Sequence, residues 1–341
     1  MLLDGLSPWG PSQRLPLLVR YFAQESTGSF VNRLAHRNGL ELGDFLERVG
    51  HGTRAVDPRY TEMYVNRPGL EHLAVLVDRP AEELQRVLPG LAEHRLLPEG
   101  GDWAAWRWRW EPVAGDGFVV RGCDLCARWR GVDEAVWRMS PDRWQVCVRH
   151  GRWTDDSRSD IPGVVRLDAV PEVVRAHRER LGLQRRFPLA GAALFADAFQ
   201  VAVHWWSCMP HTQRWIGRAR RVGLEPHEVR GAAVSLYPEA VSLARAMVRF
   251  ERYAERGARE RSAWAGGVQR MMDGWGLDVE RGTVPLLEWM QRHVRPAPRP
   301  AAGSRRAFAP AVGHVRLAAA SGSVEQLSCL PWQLGADPSQ W

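Results

Sequence analysis

The chain has 341 residues, 45% hydrophobic and 25% charged, enough for two or three modest domains with packed cores. No apolar run approaches the roughly 20 residues that a membrane helix needs, and Met1–Gly10 lacks the basic-then-apolar layout of a signal peptide. The net charge is +7 with no lysine anywhere, so a P-loop ATPase, whose phosphate site requires that residue, is excluded.

Five cysteines, an odd number without an export signal, point to reduced thiols and a cytoplasmic setting. GC-rich coding accounts for an all-arginine basic complement, but the distribution of charge is uneven. Residues 1–120 hold 13 Arg against 16 acids, and residues 161–299 hold 22 Arg against 14. If an anionic polymer is a partner, the later region is its expected footprint.

The expected fold is mainly α: an N-terminal helix-turn-helix region over 1–100, a zinc-ribbon region with short β-strands over 101–160, an Arg-rich helical domain over 161–294, and a flexible tail over 295–341. Residues 1–20 are punctuated by Pro and Gly and are expected to lie extended. Glu25-Ser26-Thr27 is an N-cap cluster, Phe30, Val31, Leu34 and Ala35 share a face, and Asn38-Gly39 supplies a stop. Leu42, Phe45, Leu46 and Val49 repeat with the helical period, and a second helical pair is expected at 69–77 and 80–88. Trp106, Trp108 and Trp110 alternate with arginine as a strand does, with their rings expected in the core; Phe118–Val120 is another short strand. Further on, helices are expected around Val170–Leu181, at 190–206 (apolar nearly all round, hence central), and at 212–221, 225–235, 238–256, 260–274 and 284–293.

The strongest motif is Cys123-x2-Cys126, twenty intervening residues, then Cys147-x2-His150. Two x2 knuckles complete a tetrahedron of three thiolates and one imidazole, which suits one structural zinc ion. With all four positions taken by protein, no open coordination site remains for water or substrate. Such a site is net −1, and Arg121, Arg128, Arg149 and Arg152 stand near it in sequence to balance it. Cys208 and Cys329 have no partners at metal spacing; Cys208-x2-His211 is at most half a site, and Cys208 is expected to be buried. No nucleophile elbow, Gly-rich phosphate loop or HExxH occurs, so catalysis is not expected.

Glu25-Ser26-x-x-Ser29-Phe30-x-x-Arg33-Leu34-Ala35-x-x-Asn38-Gly39-Leu40, followed by Cys-x2-Cys…Cys-x2-His-Gly with Trp137 in the spacer, resembles the TniQ family of transposon accessory proteins. Where relatives often carry a further cysteine pair, this chain has Trp153 and Asp155-Asp156, so the resemblance implies one zinc. It also implies a non-enzymatic protein that binds an AAA+ transposition ATPase of the TnsC type, associates with DNA or a DNA-targeting complex, and in some members forms a homodimer.

Helix-turn-helix pairs read DNA through Arg, Asn or Gln, whereas the second helix here offers Glu41, Asp44 and Glu47, which suits a protein contact better. The expected phosphate contacts are Arg175, Arg178, Arg180, Arg185 and Arg186 on one helix, and Arg214, Arg218 and Arg221 at i, i+4, i+7 on another. Leu330-Pro331-Trp332-x-Leu334 is a candidate docking motif in the tail. The reading is a zinc-containing, DNA-associated adaptor of transposition target selection; a solitary DNA-binding regulator and a protein-only scaffold are the alternatives.

Overall fold

The computed structural model describes residues 10–54, 57, 59, 61–98, 103–109, 117–156, 164–253 and 258–293. Trp110, Cys329, the 295–341 tail and its Leu330–Leu334 motif lie outside them. The chain divides into two compact units, Met1–Val165 and Arg166–Trp341, and the described residues are mainly helical, as expected.

The first unit opens on an extended segment tied to the helices behind it. The Leu15 N–H donates to Leu76 O at 2.9 Å, and Arg14 pairs with Asp78 at 2.8 Å. Helix α1 (Thr27–Arg37) starts at Ser26, whose hydroxyl accepts the Ser29 N–H. It ends at Asn38, and Gly39 follows at φ +67°, a left-handed value that glycine adopts without penalty. Helix α2 (Leu42–Val49) leads into β1 (His51–Gly52); β2 (Glu62–Val65) precedes α3 (Arg67–Val77) and α4 (Ala81–Val87).

Strand β3 (Ala105–Arg109) lies between β1 and β2, parallel to the first and antiparallel to the second, with Met63 opposite Trp108 and Val65 opposite Trp106. The period-two pattern puts Trp106 and Trp108 into the same core as Phe30, Leu34, Phe45, Leu46, Leu70, Leu73 and Leu84. The Trp106 indole N–H reaches Leu46 O and Gly50 O, so this large ring is buried with its polar atom satisfied.

Next come β4 (Phe118–Arg121), α5 (Asp124–Trp129), β5 (Trp137–Ser140), β6 (Trp144–Cys147), β7 (Arg152–Asp155) and β8 (Val164–Arg166). β4 and β5 form an antiparallel pair, while β6, β7 and β8 form a three-stranded sheet. Trp144 and Trp153 stack across the β6–β7 ladder at 5.4 Å.

The second unit consists of α6 (Pro171–Arg186), α7 (Pro188–Cys208), α8 (Gln213–Arg221), α9 (Val229–Tyr253), α10 (Ala258–Trp275) and α11 (Val279–His293). As expected, α7 is the apolar centre: Phe195, Ala198, Val201, Ala202 and Trp205 are buried, and α7 packs against α6, α9 and α11. Three expectations are corrected. The helices expected at 225–235 and 238–256 are one helix, α9, with Pro238 inside it. An interior proline costs about 3 kcal/mol, but α9 is buried along most of its length, from Ala232 through Phe250, and that burial outweighs the break. Helix α11 begins five residues earlier than expected, at Val279, and also runs through a proline, Pro285. Cys208, expected to be buried, is exposed because the last turn of α7 is open to solvent at Ser207 and Cys208, while Trp205 and Met209 beside them stay buried.

Candidate metal centre and basic helical face

Cys123 is the residue before α5, in extended conformation, and its carbonyl accepts the Ala127 N–H at 3.1 Å. That opening turn brings Cys126 to the same side. Cys147 ends β6; the chain then turns through His150 and Gly151, at φ +56°, into β7. The glycine that follows the histidine in the motif is therefore there for its backbone conformation.

These two turns bring one ligand atom from each of Cys123, Cys126, Cys147 and His150 within 4.8 Å of one another. His150 presents Nδ1, at 3.5 Å from Cys123 Sγ, 3.3 Å from Cys126 Sγ and 3.6 Å from Cys147 Sγ; the Cys126 and Cys147 sulfurs are 3.7 Å apart. A tetrahedral ion at about 2.3 Å from sulfur and about 2.1 Å from nitrogen requires edges of about 3.8 Å (S···S) and about 3.6 Å (S···N). The observed edges fit such an ion, so the cluster can hold a metal.

The thiols do not ionise independently. A hydrogen bond from Cys123 holds Cys147 down at about 4, and the same bond pushes Cys123 up. Burial, followed by the negative charge on Cys147, raises Cys126. The cluster on its own thus favours one thiolate and two thiols, and a cation is what would make three thiolates compatible. Arg138, which sequence reasoning did not single out, also stands beside the site: it is half-buried and feels the charges of Cys126 and Cys147. Its only signal in the sequence is its place next to Trp137. At the rim, Arg149 lies 4.5 Å above the ring of Trp129, which is 68% exposed.

The ribbon is built onto the start of α1. The Ser26 N–H donates to Trp137 O at 3.0 Å, the Met139 N–H to Gln24 O at 2.8 Å, and the Trp137 N–H to the Ser29 hydroxyl at 3.0 Å. Phe22 packs with Ala127 and Val136, between the guanidinium groups of Arg33 and Arg130 at 5.1 Å each. The front motif is a buried knot. Glu25 accepts from Arg33 Nε and Nη2, both at 2.8 Å, and from the Ser29 hydroxyl at 2.9 Å. Asn38 donates to Leu34 O and Leu17 O.

Glu41, at the start of α2, and Asp44 and Glu47 on it are exposed, leaving an acidic outer face. The arginines expected to meet phosphate fall into two groups. Arg175, Arg178, Arg185 and Arg186 are exposed on α6. Arg180 is buried, with its guanidinium 3.6 Å above the ring of Phe195, so it does not share that face.

Arg214, Arg218 and Arg221 share one side of α8, but that side meets acids of the same unit. Arg218, only 3% exposed, is bidentate to Glu239 at 2.8 and 3.1 Å and reaches Glu172 at 3.3 Å. Arg221 donates to Glu172 at 2.9 Å, and Arg214 stands 3.8 Å from Glu239. The expected outward face is thus narrowed to partly exposed Arg214 and Arg221, because an acid of α6 and one of α9 draw the middle arginine inward.

No helix among the described residues is long and apolar enough to cross a membrane. No curated protein and no solved structure matches the chain. The TniQ family model matches residues 16–152, the stretch that holds both the Glu25–Arg33 knot and the four metal-ligand candidates. Over residues 16–152 the chain is similar to the TniQ family.

Proposed function

We propose that the protein is a non-enzymatic, zinc-stapled adaptor that associates with DNA in transposition target selection. The observation that carries this reading is the coincidence of the TniQ match with a closed Cys3His tetrahedron fastened to the first helix. In that reading Cys123, Cys126, Cys147 and His150 hold one Zn2+, which is structural because no ligand position is left for a substrate. The acidic face of α2 suits an AAA+ transposition ATPase as protein partner, since carboxylates repel phosphates. Arg175, Arg178, Arg185 and Arg186 suit sequence-tolerant contacts to the DNA backbone. A protein-only scaffold draws support from the internal pairing of Arg218 and Arg221, and it differs in requiring no DNA.

The adaptor reading is tested by retention of a TnsC-type ATPase on immobilised duplex. Retention should require the full chain and be lost when Glu41, Asp44 and Glu47 are changed together to Arg, while DNA binding by the chain persists. Equal retention with and without the chain would overturn it.

A further inference from the structure

A groove of about 290 Å³ runs between α6 and α9, lined by Glu179, Gly182, Arg186, Arg245, Val248 and Arg249 among others. Three arginines face one glutamate there. Arg245 pairs with Glu179 at 2.6 Å, which neutralises that acid and ties α9 to α6 across one end of the groove. Arg186 and Arg249 are both exposed and make no ion pair among the described residues; Arg186 rests against the ring of Phe187 at 5.4 Å. The groove therefore carries a net formal charge of +2.

The floor of the groove is open at Gly182. A helix-interior glycine costs roughly 1 kcal/mol relative to alanine, and here no packing partner explains it: a Cβ at this position meets nothing within 4 Å. On α6, Arg175, Arg178, Gly182, Arg185 and Arg186 fall within about 100° of arc, so the gap sits in the middle of the basic stripe. On α9, Arg245 and Arg249 are spaced i, i+4 and share a face.

We infer that this groove seats a backbone phosphate of duplex DNA, gripped between Arg186 and Arg249, with Gly182 leaving room for the strand to approach the helix. The inference rests on the DNA-associated reading above and deepens it by naming the seat. Guanidinium forks suit phosphate oxygens, and the site reads no base, so binding is sequence-tolerant and salt-sensitive. Arg245 is a positioning residue that holds Glu179 away from the phosphate.

The test is fluorescence anisotropy of a labelled duplex with the full chain over a series of salt concentrations, using Arg249→Ala and Gly182→Leu. Leucine is a good helix former that adds no charge and fills the gap, so its circular-dichroism melt should match or exceed wild type. The expected result is at least fivefold weaker binding for both variants, with the salt slope of Arg249→Ala shallower by about one phosphate contact. Wild-type affinity in both variants, or in Gly182→Leu alone, would overturn the seat while leaving DNA association standing. No duplex binding by the wild-type chain would overturn both.

Discussion

Arg33 grips Glu25 with two hydrogen bonds of 2.8 Å at a place where the acid is 0% and the base 3% exposed. The Ser29 hydroxyl and the Phe22 N–H fill the remaining acceptor positions of the carboxylate, so the front motif is a closed polar knot between α1 and the segment before it. Its serine also accepts the Trp137 N–H, which joins the knot to the metal ribbon.

Removing one partner of a buried pair leaves an uncompensated charge, at a cost of about 3–5 kcal/mol. Arg33→Ala is therefore expected to destabilise the first unit by about that much in urea unfolding. The double change Glu25→Gln with Arg33→Met should cost clearly less, because it leaves no unpaired ion. Equal losses for the single and the double change would contradict this role.

Glu62 is fully buried, and its carboxylate accepts the Thr27 N–H at 2.7 Å. Burial pushes its pKa up to about 8, well above the ordinary glutamate value of 4.5. The native state thus holds the proton more tightly than the unfolded chain. Stability from this group is fully present below about pH 4.5 and is lost as pH rises through about 8. Glu62→Gln imitates the protonated acid and should gain on the order of a few kcal/mol over wild type above pH 8, with little difference near pH 4. A gap between the two proteins that does not change with pH would rule out this assignment.

Metal removal should propagate from the ribbon to α1. Cys126→Ser and His150→Ala are expected to reduce zinc from one per chain to none in native mass spectrometry. They should also lower the melting temperature, since the edge contacts of Gln24 and Ser26 with Trp137 and Met139 depend on the ribbon. Cys208→Ser, outside the cluster and exposed, should leave zinc content unchanged.

Arg218→Ala should unfold rather than unbind. Its loss leaves buried Glu239 without its bidentate partner, at a cost of about 3–5 kcal/mol. A variant that melts like wild type but loses DNA affinity would reverse this assignment and return Arg218 to the phosphate-contacting set.

The metal cluster and the first two helices were legible because their signals are local. Cys-x2-Cys and Cys-x2-His are single turns, and Ser26 and Asn38-Gly39 cap the helix that lies between them. The inward turn of Arg218 was not legible. Spacing of i, i+4, i+7 says which residues share a face but not where that face points, and the deciding acids lie 46 positions before it and 21 after it. Pro238 misled for a related reason: its local penalty is visible in sequence, whereas the burial that outweighs it is tertiary. Arg245 and Arg249 carry an i, i+4 signal, but it becomes a groove only when α6 lies beside α9.

The most direct test of DNA association is the slope of log affinity against log salt for the full chain on a labelled duplex. Wild type should bind in the micromolar range or tighter and weaken steeply with salt. Changing Arg175, Arg178, Arg185 and Arg186 together to Ala should flatten the slope by up to about four contacts, while Arg214→Ala with Arg221→Ala should alter it much less. An unchanged slope in the fourfold variant, with zinc content and melting temperature intact, would contradict the α6 footprint; no binding by wild type at any salt would contradict direct DNA contact altogether.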